Sequence, residues 1–528
     1  MRKTIKKLTA VGLTLTSVMG LVACGNNNAS NGTKETVDWA SVEKPEHFTV
    51  MVDGTVPTLE EWGEKFDEQL KSLTGLDFEI TRPDHNSYYD AVANSMLDAS
   101  AMPDVIILSS DYLALYASQG LLWDMTDAWN NSATKSSGRL ISDAEKIMKA
   151  NYVRGVDGEK ALYGFVPARG NGCVTYVKEA WATQAGYSKA DLTSKQLSYD
   201  EFYTMLKKMK EARGVDYVIS APGFYSKEAP YTNYLPEFYQ NAQFTFYYDQ
   251  AKGEYVDGFS QKEMKDALQR IQNAVKDGVI DKATLGQKTT DARNKFYSTD
   301  ASSESGVFSY WAGTWANTLM TNLKSKGLPT DLIAINPIKE LGTYVERIAP
   351  AWCITTSAKN PEGIFKYFID TMLDGGDIQT AWEYGAKGTH WDDKAETVTL
   401  AEGKGTFEYK EGEFHFLPSP EKPSTLMSKN HIDPILALAK FKTSDPGEAK
   451  MTEAAKKNGE FFAKNSTVAT PLPMTETLGE NSTDINTTRN KVISEVALGN
   501  MTVEEGMKLY KDRVGTAVEA VLKSLNET

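Results

Sequence analysis

Trp311 and Trp315 stand four residues apart in the stretch Gly306-Val-Phe-Ser-Tyr-Trp-Ala-Gly-Thr-Trp-Ala-Asn317. Val307 to Trp311 reads as a strand, Gly313 as a turn, and Thr314 onward as a helix. Both indoles therefore flank a strand-to-helix turn, where backbone must reach solvent. A pyranose has apolar C–H faces and a rim of hydroxyls; an indole offers a broad plate for the face and an N–H for the rim. Full burial of one large apolar side chain is worth roughly 1.5–3 kcal/mol. Two or three plates would carry micromolar binding, about −8 kcal/mol. A second aromatic concentration runs from 217 to 259: Phe224, Tyr225, Tyr231, Tyr234, Phe238, Tyr239, Phe244, Phe246, Tyr247, Tyr248 and Tyr255, interrupted by Pro222, Pro230 and Pro236. No long helix or strand accounts for it, and its rings suit a core and a cleft equally.

These residues need a frame. His47 to Val52 reads as a strand. Thr58 and Glu61 form a capping box ahead of Leu59, Trp62, Phe66, Leu70 and Leu73 at helical spacing, stopped by Gly75. Leu76, Phe78 and Ile80 alternate as a strand, Tyr89 to Leu97 is an amphipathic helix, and Pro103 to Leu108 a buried strand. A β-α-β-α-β order implies a parallel sheet covered by helices, with ligands at the strands' carboxyl ends. Those ends carry Asp53 and Ser109-Ser110-Asp111, although helix capping alone would also explain each. Val166 to Gly172, with Arg169 and Asn171, reads as a loop crossing between lobes. Further capping boxes, Ser198/Glu201, Ser260/Glu263 and Thr502/Glu505, announce helices, as does Asn360-Pro361.

Catalytic patterns are missing. There is no Gly-x-Ser-x-Gly elbow, phosphate loop or His-Glu-x-x-His, and the five His stand singly, which disfavours a zinc cluster. The 528 residues carry a net charge of −14, and −18 without Arg2, Lys3, Lys6 and Lys7. That balance argues against a nucleic-acid partner. The basic start precedes an apolar run, Leu8 to Ala23, short of the ~20 residues a spanning helix needs, so it reads as an export signal. It ends in Leu21-Val22-Ala23-Cys24, which resembles the lipobox of bacterial lipoproteins and makes Cys24 the lipidation site. Gly25 to Thr33 holds nothing apolar larger than Ala and reads as a tether. Cys173 and Cys353 remain, two free buried thiols in preference to one bridge.

Together with Pro103-Asp-Val-Ile, Tyr116-Ala-Ser-Gln-Gly-Leu-Leu122, Leu162-Tyr-Gly-Phe-Val-Pro167, Ser198 to Lys210, Gly306 to Asn317, Asn360-Pro361-Glu362 and Tyr384-Gly-Ala-Lys-Gly-Thr-His390-Trp391, these features resemble the extracellular solute-binding lipoproteins of bacterial ABC importers. The resemblance is to their carbohydrate-binding branch, with its alginate-oligosaccharide and lipoprotein LplA-like receptors, and covers most of residues 45–395. It implies an α/β fold of two discontinuous lobes joined by hinge strands. The expected division is a signal at 1–23, a lipidated Cys and tether at 24–44, one lobe at 45–165 plus about 345–420, and another at 170–340 plus about 425–528. Chain crossings are expected near Val166–Gly172, near Ile338–Ala351 and within 400–430.

The resemblance puts Trp315 first and Trp311 next as sugar-stacking residues. Asp53, Ser110 and Asp111 would line the other side, Arg169 and Asn171 the hinge, and Tyr225 the aromatic segment, with His390 and Trp391 closing one end. Many relatives carry a calcium loop where this chain reads Glu211-Ala-Arg-Gly-Val-Asp-Tyr217, too short and too poor in carboxylates for that. No metal and no cofactor are expected. The function expected is a non-enzymatic, monomeric receptor at the cell surface, lipid-anchored to the outer face of the cytoplasmic membrane. It would capture an oligosaccharide and pass it to the transmembrane subunits of an ABC permease. The rivals are a surface-anchored glycoside hydrolase and a receptor for a peptide or other non-sugar solute.

Overall fold

In the computed structural model, residues 37–53, 60–84, 87–225, 232–300, 302–419, 423–427, 437–447, 453–469, 472–473 and 475–527 are described. The lipobox at Cys24 and the cap at Thr58 lie outside them. The strands that build the sheets and hinge are β1 (Phe48–Met51), β2 (Phe78–Thr81), β3 (Val105–Leu108), β4 (Cys173–Lys178), β5 (Val307–Trp311), β6 (Leu332–Ala334), β7 (Tyr344–Glu346), β8 (Ala351–Ile354) and β9 (Ser466–Val468).

The opening alternation folds as its periodicity predicts. β1 runs parallel to both β2 and β3, with Val50 opposite Ile80 and Val105. All four residues of β3 are buried, as expected of a strand covered on both faces. Gly75, at φ 64°, ends the helix Glu60–Thr74 and donates its N–H to Lys71 O at 2.8 Å. The sheet takes its fourth strand from far along the chain: β8 lies antiparallel to β3, Ala351 opposite Leu108. The second sheet is β6-β4-β5, both neighbours antiparallel to β4.

The second body is mostly helical. Tyr199–Arg213 carries the expected capping box, with Ser198 Oγ accepting from Glu201 N at 3.2 Å and Glu201 Oε2 accepting from Ser198 N at 2.8 Å. The Ser260/Glu263 box does not form. Ser260 Oγ is drawn to the Asp257 carboxylate instead, and the helix begins later, at Lys262–Lys276. Helices Glu476–Ala497 and Val503–Glu527 complete the layer. Phe224, Phe238, Tyr239, Phe244, Phe246 and Phe259 are buried among them. These aromatics of the 217–259 stretch are therefore core, and Tyr225, Tyr234 and Tyr255 pack partly buried against it.

Three stretches of chain meet at the hinge. Phe165 and Trp352 exchange backbone hydrogen bonds at 2.9 and 2.8 Å, tying the first stretch to β8. Beyond it, Asn171 O accepts from Arg347 N at 2.8 Å, just past β7, which pairs with β9 in parallel. The approach needs glycine: a Cβ on Gly170 would lie 1.7 Å from Arg347 O, and one on Gly172 2.2 Å from Val345 O. Residues 437–447 stay with the first body, where Leu438 N donates to Pro167 O and Tyr384 Oη to Asp445 Oδ1. The helix Glu453–Asn465 then packs on Thr314–Ser325. The described residues around the expected 400–430 crossing include a hairpin, Glu396–Leu400 against Gly405–Tyr409. Cys173 and Cys353 are buried thiols, neither in a disulfide.

Candidate functional site

On the first sheet, the carboxyl ends of β1 and β3 are joined by a tyrosine. Tyr88 Oη donates to Ile107 O at 2.7 Å and lies 3.3 Å from Met51 O. Asp53, just beyond β1, is buried, while Ser110 and Asp111 at the next helix start are half-buried. Ser109 N donates to Tyr89 Oη at 2.9 Å, and Ser109 Oγ to Asp111. Tyr89 stacks on Tyr112 with centroids 4.5 Å apart and planes 14° apart. Burial above all pushes the Tyr89 phenol up to about 12, its hydrogen bonding with Ser109 and the Arg347 charge opposing and Asp111 adding to the rise. A carboxylate and two stacked rings therefore gather at one sheet end.

On the second sheet, Trp311 ends β5 opposite Cys173, and Trp315 lies in the first turn of the helix Thr314–Ser325. Both indoles are half-buried. Trp315 meets Tyr310 edge to face at 4.8 Å, and the Arg293 guanidinium sits 5.0 Å from the Trp315 ring centre. Tyr234 lies parallel to Tyr310 at 6.5 Å. The hinge holds this turn directly: Asn171 Nδ2 donates to Ala312 O at 3.3 Å, and Ala312 N to Gly172 O at 3.0 Å. Arg347, Asn171 and the Trp311–Trp315 turn are thus linked in turn by hydrogen bonds at the hinge.

Four expected site residues are placed elsewhere. Arg169 is spent on Glu346 and on Asp143 Oδ2, the latter at 2.6 Å, with its side chain 4 % exposed. It is a buried hinge clasp, each of its three nitrogens donating to a carboxylate. Trp391 is buried against Phe414, ring centres 4.8 Å apart, and its Nε1 donates to Gly385 O at 2.9 Å. His390 is 1 % exposed and accepts from Ala386 N through Nδ1 at 2.8 Å; burial brings its pKa down to about 4. Both rings are core. Tyr225 packs its ring on Phe244 at 5.5 Å inside the second body.

Tyr89, Tyr112, Arg293 and Arg347 are not among the expected site residues, whereas Tyr234 belongs to the 217–259 aromatics. A signal existed for Tyr89: adjacent Tyr88 and Tyr89 on one helix cannot both face the core. Arg347 follows Glu346, which strand alternation turns inward. Among the described residues no group of His, Cys, Asp or Glu is placed to hold a metal ion, and no helix is long and apolar enough to cross a membrane.

Residues 56–374 match the family described as bacterial extracellular solute-binding protein. The chain belongs to that family. Solved structures agree on the fold. The sugar-binding protein MalE of Xanthomonas citri is 13 % identical with a TM-score of 0.59, over 91 % of this chain and all of that one. The N-glycan transport solute-binding protein of Streptococcus pneumoniae is 15 % identical with a TM-score of 0.55, over 92 % and 99 %. An HMO-binding, ABC-transporter-associated solute-binding protein from Bifidobacterium longum infantis is 13 % identical with a TM-score of 0.56, over 92 % and 98 %. No match was found among curated proteins. This solute-binding protein has the two-lobed α/β fold of its family, with hinge strands between the lobes.

Proposed function

We propose that this solute-binding protein captures an oligosaccharide between its lobes and delivers it to the transmembrane subunits of an ABC permease. The observation that supports this most is the pair of aromatic platforms, Tyr89/Tyr112 on one sheet and Trp311/Trp315 on the other, joined through the hinge at Asn171 and Arg347. Plates for sugar faces are thereby combined with Asp53, Ser110, Asp111, Arg347, Arg293 and Asn171 for hydroxyls. A solute touching both platforms would favour the closed form by its difference in affinity between the two forms. The names of the relatives above point the same way, since they include sugar, N-glycan and HMO binding.

The lobes run from 45 to 165 plus about 345–447, and from 170 to 340 plus 453–528. The protein works as a monomer, held by lipid on Cys24 at the outer face of the cytoplasmic membrane. A melting-temperature screen against neutral and acidic oligosaccharides and short peptides tests the reading. An oligosaccharide should raise the midpoint and be recovered intact after prolonged incubation. Stabilisation by peptides alone, or cleavage of the sugar, would overturn it.

A further inference from the structure

The backbone of the Trp311–Gly313 turn is held almost entirely from outside. Ala312 N and Ala312 O are taken by Gly172 and Asn171 of the hinge. Trp311 O accepts from Tyr176 Oη at 2.9 Å. Gly313 stands at φ 71°, ψ −121°, a conformation that excludes other residues. Its N–H precedes the helix Thr314–Ser325, where no side chain of the turn caps it. That N–H donates to Asn458 Oδ1 at 2.7 Å, and the Tyr176 hydroxyl, whose one proton is shared between Trp311 O and this oxygen, lies 3.0 Å from it. Asn458 is 7 % exposed and sits on the helix Glu453–Asn465, beyond the 56–374 span that matches the family.

We propose that Asn458 is a positioning residue for the solute platform, one carboxamide oxygen fixing both ends of the turn that carries Trp311 and Trp315. This rests on the reading of that turn as a solute wall. The C-terminal return of the chain then does more than close the second lobe. Its helix presents Asn458 to the turn and the Phe462 ring to hinge residue Gly172, where an added Cβ would come within 2.7 Å. A shift of the hinge is transmitted to the indoles through one rigid element. Removing the Asn458 acceptor would strand the buried Gly313 N–H, while Tyr176 Oη keeps Trp311 O; an unpaired buried donor is costly, so the turn would re-aim to satisfy it.

The test uses the full chain labelled with 5-fluorotryptophan and read by fluorine NMR without solute, Trp311 and Trp315 being assigned by single Trp→Phe changes. Asn458→Leu removes the acceptor at similar volume and should shift those two resonances among the ten tryptophans. Asn458→Asp keeps an acceptor oxygen for both donors and should restore them. Unmoved Trp311 and Trp315 signals in folded Asn458→Leu would overturn the assignment. So would shifts spread over the other tryptophans that Asp does not repair, since those report a merely structural role. Should the Leu variant fail to fold, Tyr176→Phe removes one donor and should still move Trp311; an unchanged signal overturns the proposal. Because no solute is present, a protein that passes this test yet binds no sugar would fault only the functional reading.

Discussion

Arg169 and Glu346 meet edge to edge in the hinge, Nε and one terminal nitrogen of the guanidinium each donating to one oxygen of a fully buried carboxylate. Asp143 takes another terminal nitrogen, and Ser466 Oγ donates to Glu346 Oε2 at 3.3 Å. The clasp therefore joins the first crossing, β7, the start of β9 and a residue of the first body. Burial pushes the Glu346 carboxyl upward, and the arginine opposes that rise.

Removing one partner of such a pair leaves an uncompensated buried charge, at a cost of about 3–5 kcal/mol. Arg169→Met should therefore destabilise strongly, and Arg169→Met with Glu346→Gln should lose less than the sum of the single changes. Denaturant unfolding of the four proteins measures this. A single variant as stable as the parent would show that the clasp contributes nothing.

This clasp was invisible in sequence because its partners lie 177 positions apart and no local pattern marks either. The β-α-β-α-β start was legible because each element buries a periodic apolar face. The Trp311–Trp315 turn was legible because strand, Gly and helix follow one another directly. Glu476–Ala497 gave no helical signal: its first half is rich in Thr, Asn and Ser, which compete with the helix backbone. Its buried stripe also includes a charge, Arg489, which pairs with Asp257 at 2.8 Å. The burial of His390 and Trp391 has no local pattern either: Gly385, at φ 85°, lets the His390 ring pack directly against it.

Glu237 gives the fold a dependence on pH. Its side chain is buried in the helix Pro236–Tyr239 with Oε1 unpartnered, and burial raises its pKa to about 7, the Thr175 hydroxyl opposing. A carboxyl raised in the folded state stabilises while protonated. Its contribution is whole below the unfolded value of about 4.5 and declines as pH rises through about 7. Melting midpoints of the parent should fall relative to Glu237→Gln between about pH 5 and pH 8. A constant difference between the two would contradict the assignment.

The expected lipid attachment at Cys24 rests on Leu21-Val22-Ala23-Cys24. Buried acyl carbons contribute about 0.8 kcal/mol per CH₂, so more than one chain holds a protein at a bilayer without a spanning helix. Cys24→Ala should release the protein to the medium or leave it unprocessed. Cell fractionation with a labelled fatty acid decides; unchanged retention and labelling would sink the idea.

Trp315 carries the solute reading furthest. Its indole is half-buried, one side covered by the Arg293 guanidinium and another contact made by Tyr310. The ring is thus oriented by neighbours before any solute arrives, which limits the ordering cost of binding. Truncating an aromatic anchor in a desolvated site typically costs at least ~2 kcal/mol, or about 30-fold in affinity. Trp315→Ala should therefore abolish most binding of an oligosaccharide found in the melting screen. The loss must be separated from damage to the fold, because Trp315 also packs against the second sheet's core. Calorimetric titration beside the solute-free melting curve does this. Weakened binding with a preserved curve assigns Trp315 to the solute. A lowered curve with normal affinity makes it a packing residue and moves the platform to Trp311.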